Sequence, residues 1–417
     1  WFGVLGAPGR WVRVTSEALP VVEVGPVAHG GSCVARLDGQ VVFVRHALPG
    51  ERVSIRVTDR TKRYLRADAV EVLEASPDRV APPCDLAGVC GGCDFQHVAP
   101  EAQLRLLGSV VSEQLQRLAG IEREVRVEAV GPSLGWRTRV TWSTTPDGRA
   151  GLRRHRSHEV VPVGHCPIAH PGLPDVLSHR WDAPQVEAIV SSTDQQLLVT
   201  DATVPKDLHV DGVAGTDGTR RAGRTRLTER VEGHDFTVTG SGFWQVHPEA
   251  ARTLVDAVLE AAEARPGDRV ADLYAGVGLF TAFLADRVGP QGTVVSVEAD
   301  TQAARDARRS LHRHAQVRLV SATTEQALRH DADLRRGVDL VVLDPPRTGA
   351  RRAVPDVARL GARRVVYVAC DPAALARDVA TFAEHGYRLG DLRAFALFPM
   401  THHVECVAVL DRIPDVD

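Results

Sequence analysis

Three short motifs hold residues whose types and spacing could do chemistry together. In Val368-Ala369-Cys370-Asp371-Pro372 a cysteine ends an apolar strand, directly before a helix expected to open at Pro372. The helix dipole favours a thiolate there, which is the setting of a nucleophile; the plainer alternative is a thiol buried for packing. Leu343-Asp344-Pro345-Pro346-Arg347 ends another apolar strand. Open α/β sheets bind ligands beyond the carboxyl ends of their strands, so Asp344 and Cys370 share one edge, and this coincidence weighs for chemistry over packing. A helix-capping turn would account for Asp344 but not for two prolines, which fix the loop and remove amide donors. The third motif is Asp272-Leu273-Tyr274-Ala275-Gly276-Val277-Gly278, again between a strand and a helix, with Glu298 about twenty positions on. Glycines let backbone approach a ligand, and the acidic residue can accept hydrogen bonds from ribose hydroxyls, so a nucleoside cofactor is implied over a bare turn. Thr281 stands where a dinucleotide fingerprint wants a small residue, so S-adenosylmethionine fits better than NAD.

A fourth group lies earlier: Cys84, Cys90 and Cys93, with Cys166 as a possible fourth ligand in Gly164-His165-Cys166-Pro167. Four thiolates suit an Fe–S cluster or a structural zinc, and spacing alone leaves both open. Seven cysteines in 417 residues do not read as a disulfide framework.

These motifs need elements to carry them. Residues 20–75 read as short strands with turn punctuation, as in Val21–Val24, Val41–Val44 and Val53–Val57, which predicts a small closed or nearly closed β-barrel. Leu104, Leu107, Val111, Leu115 and Leu118 fall at helical steps across 100–119. From 125 to about 240, runs such as Val125-Arg126-Val127 and Gln196–Val199 predict more β structure, and the polar stretch Asp211–Arg226 reads as a loop or hairpin tip. Beyond about 245, strands and helices alternate through Arg269–Tyr274, Phe280–Arg287, Thr293–Glu298, Ala303–His314, Val338–Leu343, Ala353–Leu360, Arg364–Ala369 and Ala373–Glu384. Continuous apolar strands of this kind predict a doubly wound, parallel sheet.

Composition sets limits. The chain is 44% hydrophobic and 25% charged, with no apolar stretch long enough to span a bilayer and no signal-type segment between Trp1 and Arg13, so a soluble, cytoplasmic protein is expected. Met400 is the single methionine, so the sequence does not open on an initiator residue. The net charge is −3, which alone does not suggest a nucleic-acid binder, yet residues 1–67 hold ten basic against five acidic side chains. Arg52, Arg56, Arg60, Lys62, Arg63 and Arg66 crowd together there, as an RNA contact or a solvated strand edge.

The three C-terminal motifs fit one reaction. Carbon 5 of uracil is a weak nucleophile until a thiolate adds at carbon 6; Cys370 would supply that bond, and a base must later remove the carbon-5 proton.

Together the motifs resemble the RNA 5-methyluridine methyltransferases that carry a TRAM domain and a [4Fe-4S] cluster. Val24-Gly25, His29-Gly30-Gly31, Leu48-Pro49-Gly50-Glu51 and Tyr64-Leu65-Arg66-Ala67 look like TRAM; Pro82-Pro83-Cys84 and Cys90-Gly91-Gly92-Cys93-Asp94-Phe95-Gln96-His97 look like the cluster loop. Phe243-Trp244-Gln245-Val246 is similar to the family's F-x-Q-V-N element. The resemblance implies an OB-like TRAM barrel over residues 1–78, a central mixed β domain with the cluster loop over 79–240, and a Rossmann-like methyltransferase domain over 241–417, with the helix near 100–119 packing on the last of these. It implies a [4Fe-4S] cluster on Cys84, Cys90, Cys93 and Cys166. S-adenosylmethionine would lie against Gln245, Tyr274, Gly276, Gly278, Glu298, Thr323 and Asp344. Cys370 would be the nucleophile and Glu405, in Thr401-His402-His403-Val404-Glu405, the base. His247 and Leu279 stand where the family usually has Asn, which is expected to reshape the methionine end of the pocket. The implied partner is RNA, with ribosomal RNA ahead of transfer RNA, and the implied state a monomer without a membrane partner. An RNA-binding paralogue with vestigial activity and a cytosine-5 methyltransferase are the competing readings, the first opposed by the intact Cys370, Glu405 and Asp344.

Overall fold

Period-two burial along short strands builds the first unit of the computed structural model, which describes residues 19–414. The segment read as lacking a signal, Trp1–Arg13, lies outside the described residues, as do residues 14–18. Five strands pair in the order Val21–Glu23, Arg52–Arg60, Tyr64–Glu74, Gln40–Arg45, Cys33–Leu37. Val42, Val44, Val53 and Ile55 are fully buried on one face. The hairpin between Cys33–Leu37 and Gln40–Arg45 turns on Asp38 and Gly39, both at positive φ, the conformation a two-residue hairpin requires. This unit runs through Pro26 and resumes at Ser32–Pro77, while Val27–Gly31 cluster with the remainder from Asp78 on.

The second unit contains two large sheets. One has seven strands, ordered Arg220–Gly223, Gly212–Ala214, Gln196–Val199, Gln185–Val190, Arg139–Thr144, Ala150–Arg153, Val160–Pro162, over a core that includes Trp142 and Trp181. The polar stretch expected as a loop or hairpin tip is a hairpin whose two arms extend this sheet. Gly212 makes that possible, because a Cβ there would stand 1.9 Å from the Arg224 carbonyl oxygen.

The other sheet has eight strands: Val317–Ser321, Thr293–Glu298, Arg269–Leu273, Leu340–Leu343, Arg364–Ala369, Glu405–Arg412, Tyr387–Ala396, Val127–Ala129. The first five are mutually parallel, and Glu405–Arg412 enters antiparallel. Val270, Val294, Leu340, Val342 and Val366 have no exposed surface, as strands covered on both faces require. Val127–Ala129, expected with the central β segment, instead pairs parallel to Tyr387–Ala396 at the edge of this sheet. Periodicity cannot tell which sheet an edge strand joins. Gly108 explains the choice: it lets the helix Pro100–Ala119 approach so closely that a Cβ would lie 2.3 Å from the Val125 carbonyl oxygen. The same helix packs against the helix Pro372–Glu384 that follows Cys370. Among the described residues no helix is long and apolar enough to cross a membrane.

Candidate active site

Strand register brings the candidate nucleophile and base together. Ala369 pairs with Cys406 in the antiparallel ladder between Arg364–Ala369 and Glu405–Arg412, so Cys370 and Glu405 are the next facing positions. Side chains directly opposite in such a pair stand on one face with Cβ atoms roughly 5 Å apart. Asp344 follows the strand Leu340–Leu343, which pairs with Arg364–Ala369 on its other edge, and its amide donates to the Leu273 carbonyl at 3.3 Å. Cys370, Glu405 and Asp344 interact electrostatically, and the Arg347 guanidinium is close enough to favour the anionic form of both Cys370 and Glu405.

The resting protonation differs from the helix-dipole expectation. Burial, then the carboxyl groups of Glu405 and Asp344, push the Cys370 thiol up to about 11. Glu405 is 4% exposed, and burial followed by Asp344 raises it well above the ordinary carboxylate range. Burial and Asp272 hold Asp344 up at about 7. Desolvation of a thiolate among carboxyl groups therefore outweighs the favourable helix end, and the resting thiol is neutral at neutral pH, beside a carboxyl group whose ionisation burial opposes.

The Asp344 loop is pinned from below. Asp378, 1% exposed on the helix after Cys370, accepts from the Ala350 amide and the Tyr367 hydroxyl, each at 2.6 Å. Gly349, at φ +81°, leaves room for that carboxylate.

At the glycine turn, Tyr274, Gly276 and Gly278 all have positive φ. A Cβ on Gly276 would meet nothing within 4 Å, so the space above it is open, whereas one on Gly278 would strike Leu311 at 2.5 Å. Glu298 fastens the turn by accepting from the Gly276 amide at 2.8 Å and the Asp300 amide at 2.6 Å. Beneath, Asp272 accepts from the Thr281 hydroxyl, and its other oxygen is buried with no hydrogen-bond partner among the described residues. Burial, opposed by that hydroxyl, places Asp272 at about 7 and burial places the Tyr274 phenol at about 12. Thr323 spends its hydroxyl on the cap of the helix Thr324–His330, accepting from the Gln326 amide. Gln245 lines a cavity of about 220 Å³ with Thr138, His170, Glu229 and His247.

His247 and Leu279, expected to reshape the pocket, are both buried. His247 is 2% exposed, stacks on Trp136 at 5.9 Å, and accepts from the Glu249 amide through Nδ1; burial holds it neutral. Leu279 is packed in the core.

Cys84, Cys90, Cys93 and Cys166 line one cavity with Leu86, Leu152, Val163 and Ile168. None of the seven cysteines is in a disulfide. Burial, then neighbouring thiols, raises Cys93 to about 12, with the Gln96 side chain opposing, and the Arg137 guanidinium faces Cys166, Cys93 and Cys90. Among the described residues no group of three or more His, Cys, Asp or Glu side chains is arranged to hold a metal ion.

Sequence reasoning gave no role to Arg347, Asp272 or Asp378. Arg347 was detectable, being part of the Asp344 motif; Asp378 was not, because its partners lie 11 and 28 positions away.

Residues 21–70 match the TRAM domain, and residues 224–413 match the family described as tRNA (Uracil-5-)-methyltransferase. An uncharacterized RNA methyltransferase of Streptomyces avermitilis is 49% identical, over 94% of this chain and 97% of its own. The 23S rRNA (uracil(1939)-C(5))-methyltransferase RlmD of Alkalilimnicola ehrlichii is 33% identical, over 96% of this chain and 98% of its own. The crystal structure of the Pyrococcus abyssi tRNA (uracil-54, C5)-methyltransferase in complex with S-adenosyl-L-homocysteine superposes with a TM-score of 0.69 and 25% identity, covering 93% of this chain and 99% of that one. Similarity on this scale, joined to a TRAM domain and a thiol set opposite a carboxyl group at the sheet edge, places the chain in the family of S-adenosylmethionine-dependent RNA uracil-5 methyltransferases.

Proposed function

We propose that the protein methylates carbon 5 of a uridine in ribosomal RNA, with Cys370 as nucleophile and Glu405 as base. The observation that carries this reading is the register that sets Cys370 opposite Glu405, beside Asp344. Cys370 loses its proton to solvent as its sulfur bonds to carbon 6 of the uracil ring, which makes carbon 5 nucleophilic. S-adenosylmethionine supplies the methyl group as a sulfonium cation when bound. Ionised Glu405 then takes the carbon-5 proton, the carbon–sulfur bond breaks, and Cys370 leaves as a thiolate. Arg347 favours both anions that this sequence requires. Open space over Gly276 and the acidic Glu298 and Asp344 suit a cationic nucleoside, with Tyr274, Gly278, Gln245 and Thr323 as further contacts.

The four cysteines around one cavity fit an anionic [4Fe-4S] group: Arg137 offsets its charge, and ligands spread around a cluster stand farther apart than those of a single ion. Bound there, such a group would hold residues 84–93 and 166 together. In the TRAM unit, exposed Arg56, Arg60, Lys62 and Arg63 are suited to phosphate contacts.

The deciding experiment incubates the purified protein with labelled S-adenosylmethionine and either ribosomal or transfer RNA, followed by nucleoside analysis. Labelled 5-methyluridine from ribosomal RNA, lost in Cys370→Ala, supports the reading; label confined to transfer RNA shifts the substrate, and 5-methylcytidine overturns the base assignment.

A further inference from the structure

Glu405 is reached through the loop Phe398–Val404, and that loop is held by the cysteine-bearing segment. The amides of Asp94 and Phe95 both donate to the Met400 carbonyl at 2.9 Å. Asp94 Oδ2 contacts His402 Nδ1 at 2.6 Å and accepts from the His402 amide at 3.4 Å. Gln103, 5% exposed, accepts from the Met400 amide at 3.0 Å while donating to the Phe95 and Val98 carbonyls at 3.2 and 2.9 Å. Met400 itself sits at φ +68°, a left-handed conformation that an unbranched side chain holds only where neighbours impose it. The base is thus approached through a strained turn whose restraints come from Asp94 and Phe95, which follow Cys93, and from Gln103.

We propose that Asp94, acting through His402, is a positioning residue for Glu405, so that the order of the cysteine loop sets the rate of carbon-5 proton removal. This rests on the roles assigned to Cys370 and Glu405. Cys370 is held between the strand Arg364–Ala369 and the helix Pro372–Glu384, whereas Glu405 is the first residue after the loop, so loosening the loop bears on proton removal rather than on thiol addition. Enzyme then collects as the methylated covalent adduct with RNA.

The test uses Asp94→Ala, His402→Ala, their double variant, and Glu405→Gln as reference, each with an RNA that the wild-type enzyme methylates and labelled S-adenosylmethionine. Adduct is read on a denaturing gel, and release as free 5-methyluridine. His402→Ala lies away from the cysteines, so it serves even where Asp94→Ala disturbs their loop. Each single variant is expected to release product about 10- to 100-fold more slowly, the cost of small misplacements of a reacting group. Adduct should accumulate at the wild-type rate, and the double variant should be no slower than the slower single. Equal slowing of adduct formation and release, or losses that multiply in the double variant, overturns the positioning role. Adduct with Glu405→Gln but none with the loop variants refutes this inference alone, whereas no adduct with Glu405→Gln removes the base assignment and the proposal with it.

Discussion

Replacing Glu405 with Gln should separate the two halves of the reaction. Gln keeps the shape of a side chain that is 4% exposed, but cannot accept the carbon-5 proton. A positioned general base contributes about 10²–10⁴ in rate, or roughly 3–5 kcal/mol at 1.36 kcal/mol per decade. Water is a poor substitute in so enclosed a position, which argues for the upper part of that range. The effect on Cys370 runs the other way: Glu405 is among the groups that push the thiol up to about 11, so its neutral replacement eases thiolate formation. Addition and methyl transfer should therefore proceed at the wild-type rate or faster, while release falls about 10⁴-fold. The assay mixes enzyme with substrate RNA and methyl-labelled S-adenosylmethionine, then follows labelled protein–RNA adduct on a denaturing gel beside free 5-methyluridine. Cys370→Ala in the same background should abolish the adduct. Turnover within tenfold of wild type, or no adduct with Cys370 intact, would refute the reasoning.

Ionisation of Asp344 predicts a pH profile: kcat/KM for S-adenosylmethionine should rise through about pH 7, as the carboxylate that faces the cation forms, and Asp344→Asn should flatten that limb in steady-state kinetics. The same group has its folded pKa above its unfolded value of about 3.9. Its contribution to stability is thus fully present below pH ~4 and lost as pH rises through about 7, so the urea midpoint of ligand-free wild type should fall relative to Asp344→Asn across that window. Gly108→Ala should destabilise the protein by about 1–3 kcal/mol in urea unfolding, because the new methyl group meets the Val125 carbonyl oxygen, outweighing a helix-propensity gain of about 1 kcal/mol. Cys166→Ser should lower bound iron and its visible absorbance in anaerobically purified protein; full retention of iron, or zinc in its place, would defeat the cluster assignment.

The sequence by itself determined the parts whose signals are local. A strand, a tight turn and a helix start lie within ten residues of one another at Gly276, Asp344 and Cys370, so apolar runs and Gly or Pro punctuation locate all three at one sheet edge. Cys84, Cys90 and Cys93 were likewise readable from spacing, whereas Cys166 was joined to them by resemblance, and the structure gathers all four at one cavity. Tertiary structure decided what depends on pairing between distant segments. Only the antiparallel register of Arg364–Ala369 with Glu405–Arg412 sets Cys370 against Glu405, because a shift of one residue would turn one of them to the other face. The same packing decided protonation: a cysteine at a helix start reads as an activated thiolate, but burial beside Glu405 and Asp344 makes it a neutral thiol. Val127–Ala129 joined the eight-stranded sheet through a close approach at Gly108, and Asp94 reached His402 across 308 positions of chain. Composition and periodicity describe a residue's neighbours along the chain, whereas charge state and catalytic pairing depend on neighbours in space.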